Sequence, residues 1–148
     1  MNRLTTTIGN FAQRFRLNRI TKASPQRVLI VDDEPSIREF LHAVLVSAGY
    51  HTVVASDGAD ALATFEREGP FDVVVTDLMM PQMRGDELAR RMRHMESAIK
   101  VLYVTGFSDA LFTEKPLLWE DEAFLEKPCT PDGVLEAVSL LVNGQPGY

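Results

Sequence analysis

The chain predicts an α/β fold, a doubly wound parallel sheet with helices on both faces. Two observations carry this. Short apolar runs of three or four residues, rich in valine, recur along the chain, and such runs suit strands buried on both faces. Between them lie longer stretches whose apolar positions repeat at helical spacing. Alternation of the two units is what parallel strands joined by right-handed crossover helices require.

The elements follow in order. Val28-Leu29-Ile30-Val31 is the first strand. Pro35 suits a first helical turn, and Ile37, Phe40, Leu41, Val44 and Leu45 form the stripe of the first helix, which Gly49 ends. His51-Thr52-Val53-Val54 is the second strand. Asp57 caps a helix carrying Ala61, Leu62 and Phe65, which stops at Gly69-Pro70. Val73-Val74-Val75 is the third strand, followed by a loop from Leu78 to Gly85 and a helix with Leu88, Met92 and Met95. Val101-Leu102-Tyr103-Val104 is the fourth strand. The stretch from Phe107 to Glu122 admits a helix near Ser108, but Pro116 breaks it. Ala123-Phe124-Leu125 is a short fifth strand. Pro131 opens a last helix with Val134, Leu135, Val138 and Leu141, ending at Asn143-Gly144.

A length of 148 residues bounds the chain to one domain. The organisation read from it is a basic N-terminal extension over 1–26, a domain over 27–142 and a short tail over 143–148. One cysteine, Cys129, rules out an internal disulfide, and His42, His51 and His94 lack metal-ligand spacing. The net charge is −6, unevenly spread. Residues 1–27 hold six of the 15 basic residues and none of the 21 acids. The remainder is strongly acidic and repels nucleic-acid phosphate, so direct DNA binding is not expected. No apolar run is long enough to span a bilayer, and no secretory h-region is present. The Arg-rich, acid-free start superficially resembles a transit peptide. A cytoplasmic location is the expectation.

Within the extension, Leu4, Ile8, Phe11, Ala12 and Phe15 form the stripe of an amphipathic helix. It could pack on its own domain, bind a partner, mediate dimerisation or lie on an anionic membrane. The ordinary alternative is a frayed tail.

In doubly wound sheets, ligands bind beyond the carboxyl ends of the strands. The residues there are Asp32 and Asp33 after strand one, Asp77 after strand three, Thr105 after strand four and Lys127 after strand five. Taken singly, Asp32 is usually a helix cap, Asp33 a solvated acid, Asp77 a turn former, Thr105 a strand residue and Lys127 a surface lysine. Together they place three repelling carboxylates at one sheet edge, which a hard divalent cation relieves. Mg2+ accepts oxygen ligands and few carboxylates, and Asp33 and Asp77 are a plausible direct pair. A carboxylate can also attack phosphorus. Lys127 then offers a point charge to phosphoryl oxygens, and Thr105 a hydroxyl.

Four segments, Val-Asp32-Asp33-Glu-Pro, Thr76-Asp77-Leu-Met-Met-Pro81-Gln-Met-Arg-Gly85, Val104-Thr105-Gly106 and Phe124-Leu-Glu-Lys127-Pro128, together resemble the receiver domain of bacterial two-component response regulators. The likeness covers about residues 27–142. The spacings fit as well: 44 residues from Asp33 to Asp77, 28 to Thr105 and 22 to Lys127.

The resemblance implies a flavodoxin-like five-stranded sheet in the order 2-1-3-4-5. It implies Asp77 as phosphoacceptor, with a histidine kinase or phosphotransfer protein as donor. Mg2+ would sit on Asp33, Asp77 and the Met79 carbonyl, with Asp32 acting through water. Thr105 and Lys127 would contact the phosphoryl group, Phe124 would turn inward on activation, and Lys127-Pro128 would be cis. An aromatic in a short strand is ordinarily core, and that reading of Phe124 stands beside the switch role.

Met79 and Phe107, each two residues after a site residue, are bulky and apolar. Neither orients a hydrolytic water, so a long-lived aspartyl-phosphate is expected; the alternative is that both pack on the rim. Cys129 has no histidine partner and reads as structural.

The expected function is a stand-alone response regulator that signals through phosphorylation-dependent protein contacts, without turnover of a separate substrate. Four other readings stay open: a receiver belonging to a hybrid kinase, a phosphorelay intermediate, an aspartyl-phosphate phosphohydrolase, and a degenerate receiver that binds partners without phosphate. The phosphohydrolase class usually carries another acid where Met79 stands.

Overall fold

The computed structural model describes residues 26–106 and 121–143. Five strands, β1 (Arg27–Val31), β2 (His51–Ala55), β3 (Val73–Thr76), β4 (Lys100–Thr105) and β5 (Glu122–Glu126), form one parallel sheet in the order β2-β1-β3-β4-β5. The described helices are α1 (Pro35–Ser47), α2 (Gly58–Glu68), α3 (Gly85–Met95) and α4 (Pro131–Asn143). The strand order expected from the resemblance is the one observed. Residues 1–25, 107–120 and 144–148 lie outside the described residues, and with them the readings of the N-terminal extension, Ser108, Pro116 and Phe107.

The pleat divides the core in two, because successive strand residues point to opposite faces. Val28, Ile30, Val73, Val75, Leu102 and Val104 pack with Leu41, Val44 and Leu45 of α1 and Val134, Val138 and Leu141 of α4. Leu29, Val31 and Val74 pack on the other face with Ala61 and Phe65 of α2 and Leu88 and Met92 of α3. The strand residues among these are almost wholly buried, and each such side chain contributes about 1.5–3 kcal/mol relative to exposure.

The ends of the helices follow from local chemistry. Asp57 Oδ1 accepts from Asp60 N at 2.8 Å and so caps α2. Gly49 closes α1 with φ +94°, in the left-handed region that favours glycine, and Tyr50 N donates back to Leu45 O at 3.0 Å. α3 begins at Gly85 because nothing larger fits: a Cβ there would stand 2.1 Å from the Asp77 carbonyl oxygen. Lys127-Pro128 is cis, as the resemblance implied, and so is Gly69-Pro70.

A third cluster lies towards the β5 edge. Leu78, Ala89, Val101 and Tyr103 are buried together, with Phe124 half-buried against them. Glu122 opens β5 inside this region, its side chain fully buried. It accepts from Arg93 Nη2 at 2.6 Å and from the Tyr103 hydroxyl at 3.2 Å. The group ties α3, β4 and β5 together. Burial, and then the Glu122 charge, hold the Tyr103 phenol far above its usual range.

Candidate functional site

All five strands run the same way, so their carboxyl ends share one edge. Ladder hydrogen bonds continue one residue past the strands and fix the site's backbone. Asp32 N donates to Ala55 O at 3.3 Å, Asp77 N to Val31 O at 3.0 Å, and Lys127 N to Thr105 O at 3.0 Å. Asp32, Asp77 and Lys127 are thereby each tied to the strand beside their own.

The side chains converge as the sequence predicts. One carboxylate oxygen from each of Asp32, Asp33 and Asp77 lies within 4.8 Å of the others. Asp32 is 1% exposed and Asp77 6%, while Asp33 faces solvent. Lys127 Nζ reaches Asp32 Oδ2 at 3.0 Å, Asp77 Oδ2 at 3.5 Å and Glu34 Oε1 at 3.6 Å. Its tightest partner is therefore Asp32.

Asp32 Oδ1 accepts from Glu34 N at 2.9 Å, so both oxygens of Asp32 are engaged. Asp77 Oδ1 accepts from Leu78 N at 2.8 Å. Asp77 Oδ2 is left with a longer, more weakly held contact to the ammonium.

The electrostatics are unbalanced. Burial raises the Asp32 carboxyl above its ordinary value, against the Glu34 amide and Lys127, which lower it. Burial alone would lower Lys127, but the hydrogen bond and charge of Asp32, with the charges of Asp77 and Glu34, raise it overall. Among the described residues, the carboxylates of Asp32, Asp77 and Glu34 share the Lys127 ammonium, and an oxygen-rich, acid-rich cluster of this kind suits a hard divalent cation such as Mg2+.

The structure also places the remaining predicted residues. Thr105 is fully buried at the end of β4. Phe124 stands opposite Tyr103 across β4 and β5. Met79 is 39% exposed in the loop after β3, its sulfur accepting from Arg84 Nη1 at 3.3 Å.

Three contributors were missed from sequence. Glu34 reaches Lys127, Arg38 Nη1 donates to the Asp32 carbonyl at 2.6 Å, and Gly85 admits the Asp77 backbone. Arg38 follows Asp32 by six residues across a turn, and no spacing rule singles it out. Gly85 sat inside a motif already quoted, but its close approach to Asp77 is visible only in three dimensions.

A doubly wound sheet with a carboxylate and lysine cluster at its strand ends defines a class, and comparison with known proteins assigns the family. The family model described as "Response regulator receiver domain" matches residues 28–139. The chain belongs to that family. It is 35% identical over 103 residues to the response regulator receiver protein CpdR of Brucella abortus, covering 70% of this chain and 85% of CpdR. It is 36% identical over 115 residues to the transcriptional regulatory protein TrcR of Mycobacterium tuberculosis, covering 76% of this chain but only 44% of TrcR. Among solved structures, the response regulator TrrA of Thermotoga maritima, in complex with Mg2+ and BeF, aligns with a TM-score of 0.70 at 33% identity, covering 78% of this chain and 98% of that one. The described residues include no helix long and apolar enough to cross a membrane.

Proposed function

We propose that Asp77 is the phosphoacceptor of a two-component signalling switch. The observation that carries this is the position of the Asp77 carboxylate: nearly buried, 3.5 Å from the Lys127 ammonium and within one acid cluster with Asp32 and Asp33. An Asp77 carboxylate oxygen attacks the phosphorus of a phosphohistidine on a histidine kinase or phosphotransfer protein. The P–N bond breaks and the imidazole leaves with its electron pair. Asp33, Asp77 and the Met79 carbonyl would hold Mg2+, with Asp32 contributing through water. The ion, once bound, offsets carboxylate charge and draws electron density from the phosphoryl oxygens.

Lys127 exchanges its carboxylate partners for the phosphoryl oxygens, and the Thr105 hydroxyl donates to them. Phe124 follows inward and reshapes the face of β4 and β5, which a downstream protein reads. The chain acts as acceptor and assists its own phosphorylation and dephosphorylation, without turning over a separate substrate. The strongly acidic body of the domain, which repels nucleic-acid phosphate, favours signalling through protein contacts over direct DNA binding by this domain. A phosphorelay or hybrid-kinase role is the second reading. A likeness to the receiver domain of the hybrid histidine kinase CckA, with a TM-score of 0.66 at 26% identity, favours it.

The test is incubation with Mg2+ and beryllofluoride or a small phosphodonor, read by NMR or intact mass. The wild type gains a phosphoryl mass or shifts its Thr105 and Phe124 signals, and Asp77→Asn shows neither. A wild type that takes up neither reagent would falsify the reading.

A further inference from the structure

We infer that residues 4–15 of this chain dock, in cis, on an apolar groove beside Lys127. The groove has a volume of about 360 Å³. It is lined by Ile37 and Phe40 of α1, Val104 of β4, and Lys127, Pro128 and Cys129 between β5 and α4. Its walls are mostly apolar carbon. The flanking elements are acidic on their outer faces: Glu34 at the start of α1 is exposed, as are Asp132 and Glu136 of α4, a helix that carries no basic residue. Among the described residues, the nearby cations are already engaged, Lys127 by three carboxylates and Arg38 by the Asp32 carbonyl.

A ligand suited to this surface has an apolar stripe and positive flanks. Residues 4–15 have the stripe, with Arg14 inside it and Arg3, Arg16 and Arg19 beside it. Leu4, Ile8, Phe11 and Phe15 fall at helical spacing, and residues 1–27 contain six basic residues and no acid. The segment lies outside the described residues and outside the stretch matched by the receiver family.

Reach is sufficient. Residues 16–26 join the stripe to β1, and at about 3.3–3.6 Å per extended residue they span about 36–40 Å. Only the length of β1, about 17 Å at the rise of a strand, separates its start from the edge that carries the groove. A short tether holds the segment at an effective concentration of about a millimolar, so a weak intrinsic affinity closes the groove.

Cys129, the chain's single cysteine, lines the groove and reports its occupancy. The experiment measures iodoacetamide alkylation of Cys129 in the full chain. Phe11→Asp/Phe15→Asp should speed labelling about ten-fold, the ratio given by a segment docked about nine-tenths of the time. Arg14→Glu/Arg16→Glu should speed it by a smaller factor, and diluting the wild type should change nothing. Equal labelling of wild type and Phe11→Asp/Phe15→Asp would overturn the inference. Protection that disappears on dilution would also overturn it, because the occupant would then be a second copy. Neither result depends on whether Asp77 takes a phosphoryl group.

Discussion

Glu122 and Asp32 are both buried acids that meet a cation, yet among the described residues their surroundings differ. Among the described residues, Glu122 meets the Arg93 guanidinium at 2.6 Å and the Tyr103 phenol at 3.2 Å, in a group that fixes α3 to the β4 and β5 edge. Asp32 shares one ammonium with Asp77 and Glu34, and Asp33 adds a further negative charge nearby. The choice of cation fits each place. Arginine's planar fork is preorganised and suits a fixed contact, while lysine's flexible stem carries a point charge that can change partners. A buried, fixed pair contributes to one structure. A surplus of negative charge leaves the strand-end rim ready for an added cation and a change of partners.

Removing the cation from each region separates the two cases. Arg93→Met takes the guanidinium from a fully buried carboxylate and should cost about 3–5 kcal/mol in urea unfolding, with no recovery on adding Mg2+. Lys127→Met should cost less, about 1–3 kcal/mol, because the rim is partly open to water. Its loss should be partly reversed by Mg2+. If Mg2+ restores neither variant, or both equally, the contrast fails.

Asp33→Asn sharpens the point from the exposed side. It should leave metal-free stability within about 0.5 kcal/mol. It should weaken Mg2+ binding at least about ten-fold, the lower end of what even an outer-shell partner contributes. Calorimetric or fluorescence titration would show it, and an unchanged affinity would remove Asp33 from the metal site.

Tyr103→Phe probes the Glu122 region more gently and should cost about 1 kcal/mol at neutral pH. The folded-state pKa of Tyr103 lies well above its ordinary 10.0. Its contribution is therefore complete below about pH 10 and is lost as pH rises further, because the unfolded chain then sheds a proton that the folded one keeps. The stability gap between wild type and variant should close above that pH. A gap that is constant with pH would place the phenol's proton outside the network.

Met79→Asn should have the smallest effect, shortening the lifetime of the phosphorylated form a few-fold by adding a polar side chain at the rim. Equal decay rates would reduce Met79 to a packing residue.

The fold was legible because each β-run and helical stripe states its own period. Asp57 and Gly49 are punctuation that needs no partner to be read, and the structure places both in the predicted roles. The strand-end residues were legible for a related reason: parallel topology brings all carboxyl ends to one edge, so Asp32, Asp33, Asp77, Thr105 and Lys127 could be placed together before any coordinates. The partners of Glu122 could not be foreseen. Arg93 lies 29 residues away on a helix that otherwise carries surface charges, and no local pattern links the two. β5 also begins one residue earlier than its apolar run, because the acid that opens it is buried by those same partners.

Gly85 constrains what the loop before it can become. Its N–H donates to Leu78 O at 2.8 Å, and its bare Cα rests against the Asp77 carbonyl. The turn from Leu78 to Gly85 is thus clasped at both ends, like a ring closed on its own setting. Exposed side chains along its outer curve, Met79 among them, can be exchanged to suit a new partner, whereas Gln82, at φ +73°, sits in the left-handed region that few side chains adopt. Insertions and deletions there would unfasten the clasp and shift the Asp77 carboxylate itself, so diversity on this rim has to come from substitution at fixed length.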